Sequence, residues 1–150
     1  RIVAVGERAD AAALDSLTAQ ATVVLDCSDN FETRHALNRA CVVHHRPLVS
    51  GAAIRFDGQI ASFDVRRADS PCYACLFPPG DGEDELCSIM GVFAPLTGII
   101  GTMQAAEALK LAADAGTALV GRLLMLDALA MQWHAVRVPR DPACPVCAQR

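Results

Sequence analysis

Four cysteines in two matched pairs carry the sharpest chemical signal in the chain. Cys72-Tyr73-Ala74-Cys75 and Cys144-Pro145-Val146-Cys147 each set two thiols three residues apart beside a proline. That spacing lets two sulfurs on one knuckle reach a single tetrahedral ion at ~2.3 Å, so Cys72, Cys75, Cys144 and Cys147 together read as a four-thiolate zinc site. The pairs lie 68 residues apart, far more than a compact zinc ribbon allows, and an ion between them would tie the C-terminal stretch to the middle of the chain. A closed four-thiolate shell leaves no position for a reactive water, which makes the expected role structural. Disulfides or a redox dithiol are the competing uses of such thiols. Residues 1–6 lack the apolar core of a secretory leader, which disfavours disulfides, and the second matched pair argues against a lone redox motif.

A second candidate is the run Asp26-Cys27-Ser28-Asp29-Asn30, which follows the apolar stretch from Thr22 to Leu25. At the C-terminal end of a parallel strand it would occupy the place where open α/β sheets hold their ligands. Asp29 could then hold Mg²⁺ through its carboxylate, and Arg34, one helical turn on, could face phosphate. The same residues match a capping box, with Asp29 accepting a first-turn amide and Glu32 reaching back, and spacing alone favours this cap. Cys87 stands apart from both pairs and could carry an acyl group or a persulfide if its pKa were lowered. Its neighbours Asp84 and Glu85 would raise that pKa, so an inert thiol is the simpler reading. Cys27 and Cys41 read as small core residues.

The elements that must position these groups follow from the apolar pattern. Residues 2–5 and 22–25 are continuous apolar runs, the signature of parallel strands covered on both faces, and a polar helical segment from about Asp10 to Gln20 lies between them. Helical spacing from Phe31 to His45 ends before Pro47. Residues 48–54 and 59–65 are strands joined by a four-residue turn, Arg55-Phe56-Asp57-Gly58. From Asp69 to Met90 the texture turns to proline, glycine and acids, which reads as a long loop. An apolar helix from about Pro95 to Ala113 is capped by Gly116, and its Gly98, Gly101, Ala105 and Ala108 share one face. Residues 122–126 and 132–138 close the sheet. The expected fold class is α/β, with doubly wound layers and no internal repeat.

The 150 residues amount to one domain, spanning 1–150, with 53% apolar and 20% charged residues. Seventeen acids against thirteen bases give a net charge of −4, which offers no broad positive field for nucleic acid or an anionic membrane. The longest uncharged run, from Cys87 to Ala106, is broken by Pro95, three glycines and several polar residues, so it is not read as a membrane span. A cytoplasmic setting is expected. Lys110 is the one lysine, and no glycine-rich turn joins a first strand to a first helix. Such a turn supplies the free N–H groups that grip phosphate, so the chain reads as the C-terminal portion of a larger domain. The same absence counts against a dinucleotide-binding oxidoreductase.

Taken in order, several segments resemble one family. They are residues 24–34 (Val-Leu-Asp-Cys-Ser-Asp-Asn-Phe-Glu-Thr-Arg), 47–59 (Pro-Leu-Val-Ser-Gly-Ala-Ala-Ile-Arg-Phe-Asp-Gly-Gln), 71–78, 101–110 and 141–147. They look like the E1-like activating enzymes of the ThiF/MoeB/HesA family, and the likeness spans nearly the whole chain. It implies the C-terminal part of a Rossmann-like fold with a mixed sheet, flanking helices and a structural Zn²⁺ on the four paired cysteines. It also implies an adenylyltransferase that uses ATP and Mg²⁺ to activate the C-terminal glycine of a ubiquitin-like sulfur carrier with a Gly-Gly tail, MoaD- or ThiS-like, in molybdopterin or thiamine biosynthesis. By the same resemblance Asp29 lies at the Mg²⁺-ATP site with Asn30 and Arg34, which reverses the capping preference. Cys87 lies on a crossover loop with a variable part in sulfur or thioester transfer, and the protein forms homodimers. The family's ATP-gripping turn has no counterpart here, so the 150 residues alone are expected to be inactive. The alternative is a non-catalytic, zinc-stabilised module for carrier binding or dimerisation.

Overall fold

In the computed structural model, which describes residues 1–80 and 90–149, the chain forms a five-stranded sheet in the order β1-β2-β3-β4-β5. The strands are β1 (Val24–Asp26), β2 (Leu48–Ile54), β3 (Asp57–Phe63), β4 (Arg122–Asp127) and β5 (Gln132–Arg137). Only β1 and β2 are parallel, with Asp26 opposite Ser50. The other three pairings are antiparallel, so the sheet is mixed, as the family resemblance implies, and not doubly wound throughout. The reason is local. β2 turns into β3 through two residues, Arg55 and Phe56, with Ile54 opposite Asp57. A connection that short can only reverse the chain. Arg55 takes the left-handed conformation, at φ 50°, that lets the turn close in two residues where four were expected.

The described helices are α1 (Ala11–Gln20), α2 (Phe31–Val43), α3 (Tyr73–Leu76) and α4 (Ala94–Ala113). Asp10 caps α1, its Oδ1 accepting from Ala13 N at 2.8 Å. The last helix stops at Asp114, not Gly116, because Asp114 itself adopts the left-handed cap at φ 49°. Short polar side chains tolerate that region better than most. No described helix is long and apolar enough to cross a membrane.

Apolar side chains cover both faces of the sheet at β2 and β3, which accounts for the continuous apolar run at the start of β2, while β5 is exposed along its length. Leu48, Ala61, Phe63 and Leu123 pack with Cys41 of α2 and Tyr73 of α3. On the other face Val49, Ile60 and Leu119 pack with Ala108 and Leu111 of α4. The face of α4 expected to carry four small residues divides, since Gly98, Gly101 and Ala105 are exposed while Ala108 is buried.

The expected first strand at residues 2–5 does not form. Ile2, Val3 and Val5 are 97%, 70% and 57% exposed. An apolar run becomes a strand only when a neighbour takes its ladder bonds, and among the described residues β1 has β2 beside it on one edge alone. The expected long loop from Asp69 to Met90 contains α3 within its described part, and Cys87 lies outside the described residues.

Candidate functional site

The two cysteine knuckles meet. Cys72 Sγ lies 3.7 Å from Cys144 Sγ and 4.0 Å from Cys75 Sγ, and Cys75 Sγ lies 3.5 Å from Cys147 Sγ. All four sulfurs fall within 4.8 Å of one another. Bonds of ~2.3 Å to a tetrahedral centre require sulfurs about 3.8 Å apart, so the donor set fits zinc in both chemistry and size. A disulfide would hold two sulfurs at ~2.05 Å, and none of these pairs is bonded.

Local structure explains the convergence. The first knuckle runs into the single turn α3, where Cys72 N and Asp141 N both donate toward Cys75 Sγ, at 3.4 and 3.5 Å. Arg140 binds the second knuckle from outside, its Nη2 donating to the Cys147 carbonyl at 2.6 Å. Asn38 of α2 bridges to the first, its Nδ2 lying 3.6 Å from Cys72 Sγ while its Oδ1 accepts from Tyr73 N at 2.9 Å. Amide donors of this kind stabilise thiolate charge and orient it toward a metal. In the absence of an ion, burial pushes the Cys72 and Cys75 thiols up from their ordinary value.

The second site is a cavity of about 680 Å³ at the C-terminal ends of β1 and β2. The turn from Cys27 to Asn30 forms one wall, residues 51–54 of β2 the floor, and Thr97, Gly101 and Gln104 of α4 the opposite wall. Tyr73, from the first cysteine knuckle, also lines it. The capping reading is corrected here. Asn30, not Asp29, caps α2, its Oδ1 accepting from Thr33 N at 2.8 Å. Both residues are short and polar, and the extended backbone at Asn30 decides which of them points at the helix end. Asp29 is left exposed at the cavity wall, and among the described residues its carboxylate takes only a long 3.5 Å contact from Asn30 Nδ2.

Arg34 also lines the cavity, but its guanidinium is committed inward. Nη1 reaches Asp26 Oδ2 at 3.3 Å and Ser50 Oγ at 3.0 Å, and Nη2 donates to the Gly51 carbonyl at 3.1 Å and to the Ser28 carbonyl. Asp26, fully buried, is satisfied on every side. Oδ1 accepts from Ser28 N at 3.0 Å and Ser28 Oγ at 2.6 Å, and Ser50 Oγ adds a bond to Oδ2 at 3.1 Å. The Asp29 turn therefore stands on a buried ion pair.

Asp26 entered the sequence reading only as the first residue of the Asp26–Asn30 run, and Ser50, Asn38 and Gln104 were given no role there. A glutamine inside a largely apolar helix was the one signal available for Gln104, and nothing in residue spacing marked Ser50 or Asn38. Cys41 is a buried core residue as expected, its thiol pushed up to about 12 by burial and then by the nearby Asp26 charge. Cys27 departs from the core reading, being exposed at the cavity wall with its thiol 3.5 Å from Gln104 Oε1.

Comparison with known proteins fits this geometry. The ThiF family model matches residues 1–146. The molybdopterin-synthase adenylyltransferase of Salmonella typhimurium is 44% identical over 149 residues, covering 99% of this chain and 59% of that protein. The sulfur carrier protein ThiS adenylyltransferase of Escherichia coli is 37% identical over 147 residues, covering 98% of this chain and 58% of that protein. The chain thus spans somewhat over half the length of these relatives. Among solved structures, that of E. coli MccB with ATP aligns at a TM-score of 0.75 and 17% identity, over 95% of this chain and 44% of that one, a likeness of fold.

Proposed function

This chain belongs to the ThiF family, and on that premise we propose that the whole protein is an adenylyltransferase acting on a ubiquitin-like sulfur carrier in molybdopterin or thiamine biosynthesis. In the reaction the carrier's C-terminal glycine carboxylate attacks the α-phosphorus of ATP, pyrophosphate leaves, and an acyl-adenylate ready for sulfur attack remains. One observation carries the reading on the side of this chain. With Asn30 taking the helix cap, Asp29 keeps an exposed carboxylate at the wall of a large cavity, with one long contact to Asn30 among the described residues. Mg²⁺ is commonly held by one or two carboxylates plus substrate phosphates, and Asp29 meets that requirement. The ion, when bound, would draw charge from the triphosphate.

The other residues support rather than replace that carboxylate. Arg34 shapes the turn through its bonds to Asp26 and to the Ser28 and Gly51 carbonyls, and any reach to phosphate would surrender one of these. Asn30 serves by sparing Asp29. Four Zn²⁺ ligands, Cys72, Cys75, Cys144 and Cys147, brace α3 and so Tyr73 in the cavity wall. Reduced thiols in that number suit the cytoplasm. Exposed Leu129, Met131, Trp133 and Val136 support the homodimer that the family resemblance implies. Cys87 is our candidate for a covalent sulfur-transfer step, on the strength of the resemblance alone.

The test uses the product of the complete gene, labelled pyrophosphate, ATP and a Gly-Gly-tailed carrier. Carrier-dependent exchange is expected, falling by about 100-fold or more in Asp29→Ala, the scale on which lost transition-state electrostatics shows itself. Carrier binding with no exchange would instead leave a non-catalytic docking module. Cys87→Ala should keep the exchange and lose the later transfer of sulfur, and full transfer by that variant would remove the covalent role.

A further inference from the structure

Gln104 sits in the middle of α4, 3% exposed, in a helix that is otherwise apolar for most of its length. A primary amide removed from water costs free energy unless each polar atom finds a partner. Both of its polar atoms do. Nε2 donates to the Asp26 carbonyl at 2.8 Å and to the Val49 carbonyl at 3.3 Å, bridging the C-terminal end of β1 to the second residue of the neighbouring β2. Oε1 lies 3.5 Å from the Cys27 thiol. All three contacts bear on the point where β1 gives way to the turn that presents Asp29.

The floor of the cavity is built to admit this amide. A Cβ at Gly51 would lie 2.4 to 2.9 Å from the Gln104 carboxamide atoms, far inside contact distance. Asp26 is thereby held from two directions. Its carboxylate is fixed by Arg34, Ser50 and Ser28, and its carbonyl by Gln104 reaching from the other face of the sheet.

We propose that Gln104 is a positioning residue that fixes the Cys27–Asn30 turn, and through it the Asp29 carboxylate, for Mg²⁺-ATP. This rests on the adenylyltransferase reading for its meaning but not for its test. The helix reads the state of the strand ends through one amide, and that amide stands in the cavity wall. Loss of its two donor bonds frees the Asp26 and Val49 carbonyls and lets the turn swing, while the zinc knuckle, on separate contacts, stays in place.

The experiment measures amide hydrogen exchange across the complete gene product, with Gln104→Met as the variant of similar length lacking donors. Exchange in the peptide covering Cys27–Asn30 should quicken about tenfold or more, with no change at Tyr73–Leu76. In the exchange assay the Mg²⁺ concentration for half-maximal rate should rise about 10-fold while the maximal rate changes less, as for supporting residues behind a metal ligand. Gly51→Ala supplies a second route. The intruding methyl meets only the far end of a flexible side chain, so the fold can accommodate it by displacing the amide, and the same loosening is expected. An unchanged turn in folded Gln104→Met overturns the proposal, and if that variant does not fold, an unchanged turn in Gly51→Ala does so. A wild-type protein without pyrophosphate exchange would refute the enzymatic reading, while the hydrogen-exchange comparison would still decide the role of Gln104.

Discussion

Truncating Arg34 would isolate a carboxylate that the fold has taken entirely out of water. Asp26 is fully buried and Arg34 nearly so, and the pair is 3.3 Å apart. Removing one partner from such a pair costs far more than the pair contributes, so Arg34→Met should lower unfolding free energy by about 3–5 kcal/mol in urea titrations. His35 offers a second residue-scale test. It is held below its ordinary pKa of 6.5 by burial and then by Arg39, with its ring edge-on to Tyr73 at 5.4 Å. The unfolded chain therefore takes up a proton near pH 6.5 that the folded chain refuses until lower pH. Stability present above that point should fall as pH drops through it, and His35→Phe should flatten that part of the pH–stability curve. At this scale the sequence revealed which residue types matter but not their orientation. Asp29 and Asn30 are equally good caps on paper, and the extended backbone at Asn30 decides that Asn30 takes the helix end.

Packing between α4 and β3 is close enough to depend on a missing side chain. A Cβ on Gly58 would lie 2.8 Å from Leu96 Cδ1 and 2.9 Å from Ile100 Cδ1. Both are core residues with little room to move. Gly58→Ala should therefore destabilise by about 1–3 kcal/mol, measurable by chemical denaturation, in contrast to Gly51→Ala, whose obstacle can swing aside. Most elements were legible because their apolar periodicity and breakers are local. α2 between Asn30 and Pro47, and β2 with its run of small and apolar residues, are examples. What failed was set by partners or by backbone handedness. Residues 2–5 had the composition of a strand without a neighbour, and Arg55 and Asp114 took left-handed conformations that their residue types do not announce.

At the scale of the whole molecule the cysteine cluster is a long-range tie, joining sulfurs 72 residues apart. Metal analysis of purified, reduced protein should find one zinc per chain. A strong chelator should lower the melting temperature by about 10 °C or more, since structural zinc contributes on the order of 10 kcal/mol to folding. Cys144→Ser should do much the same. Acid should release the ion, because protons compete with the metal for thiolates. Spacing within each knuckle was plain in the sequence. That the two knuckles meet rested on chemistry alone until the fold brought their four sulfurs within 4.8 Å of one another.

That separation also imposes an order of events on biosynthesis. At about 5–20 residues per second, the first two sulfurs leave the ribosome roughly 4–14 s before their counterparts. Throughout that interval the nascent chain holds half a coordination sphere, open to any thiophilic ion or oxidant it meets. A metal bound there would therefore act as a closing latch, set only when translation has reached Cys147.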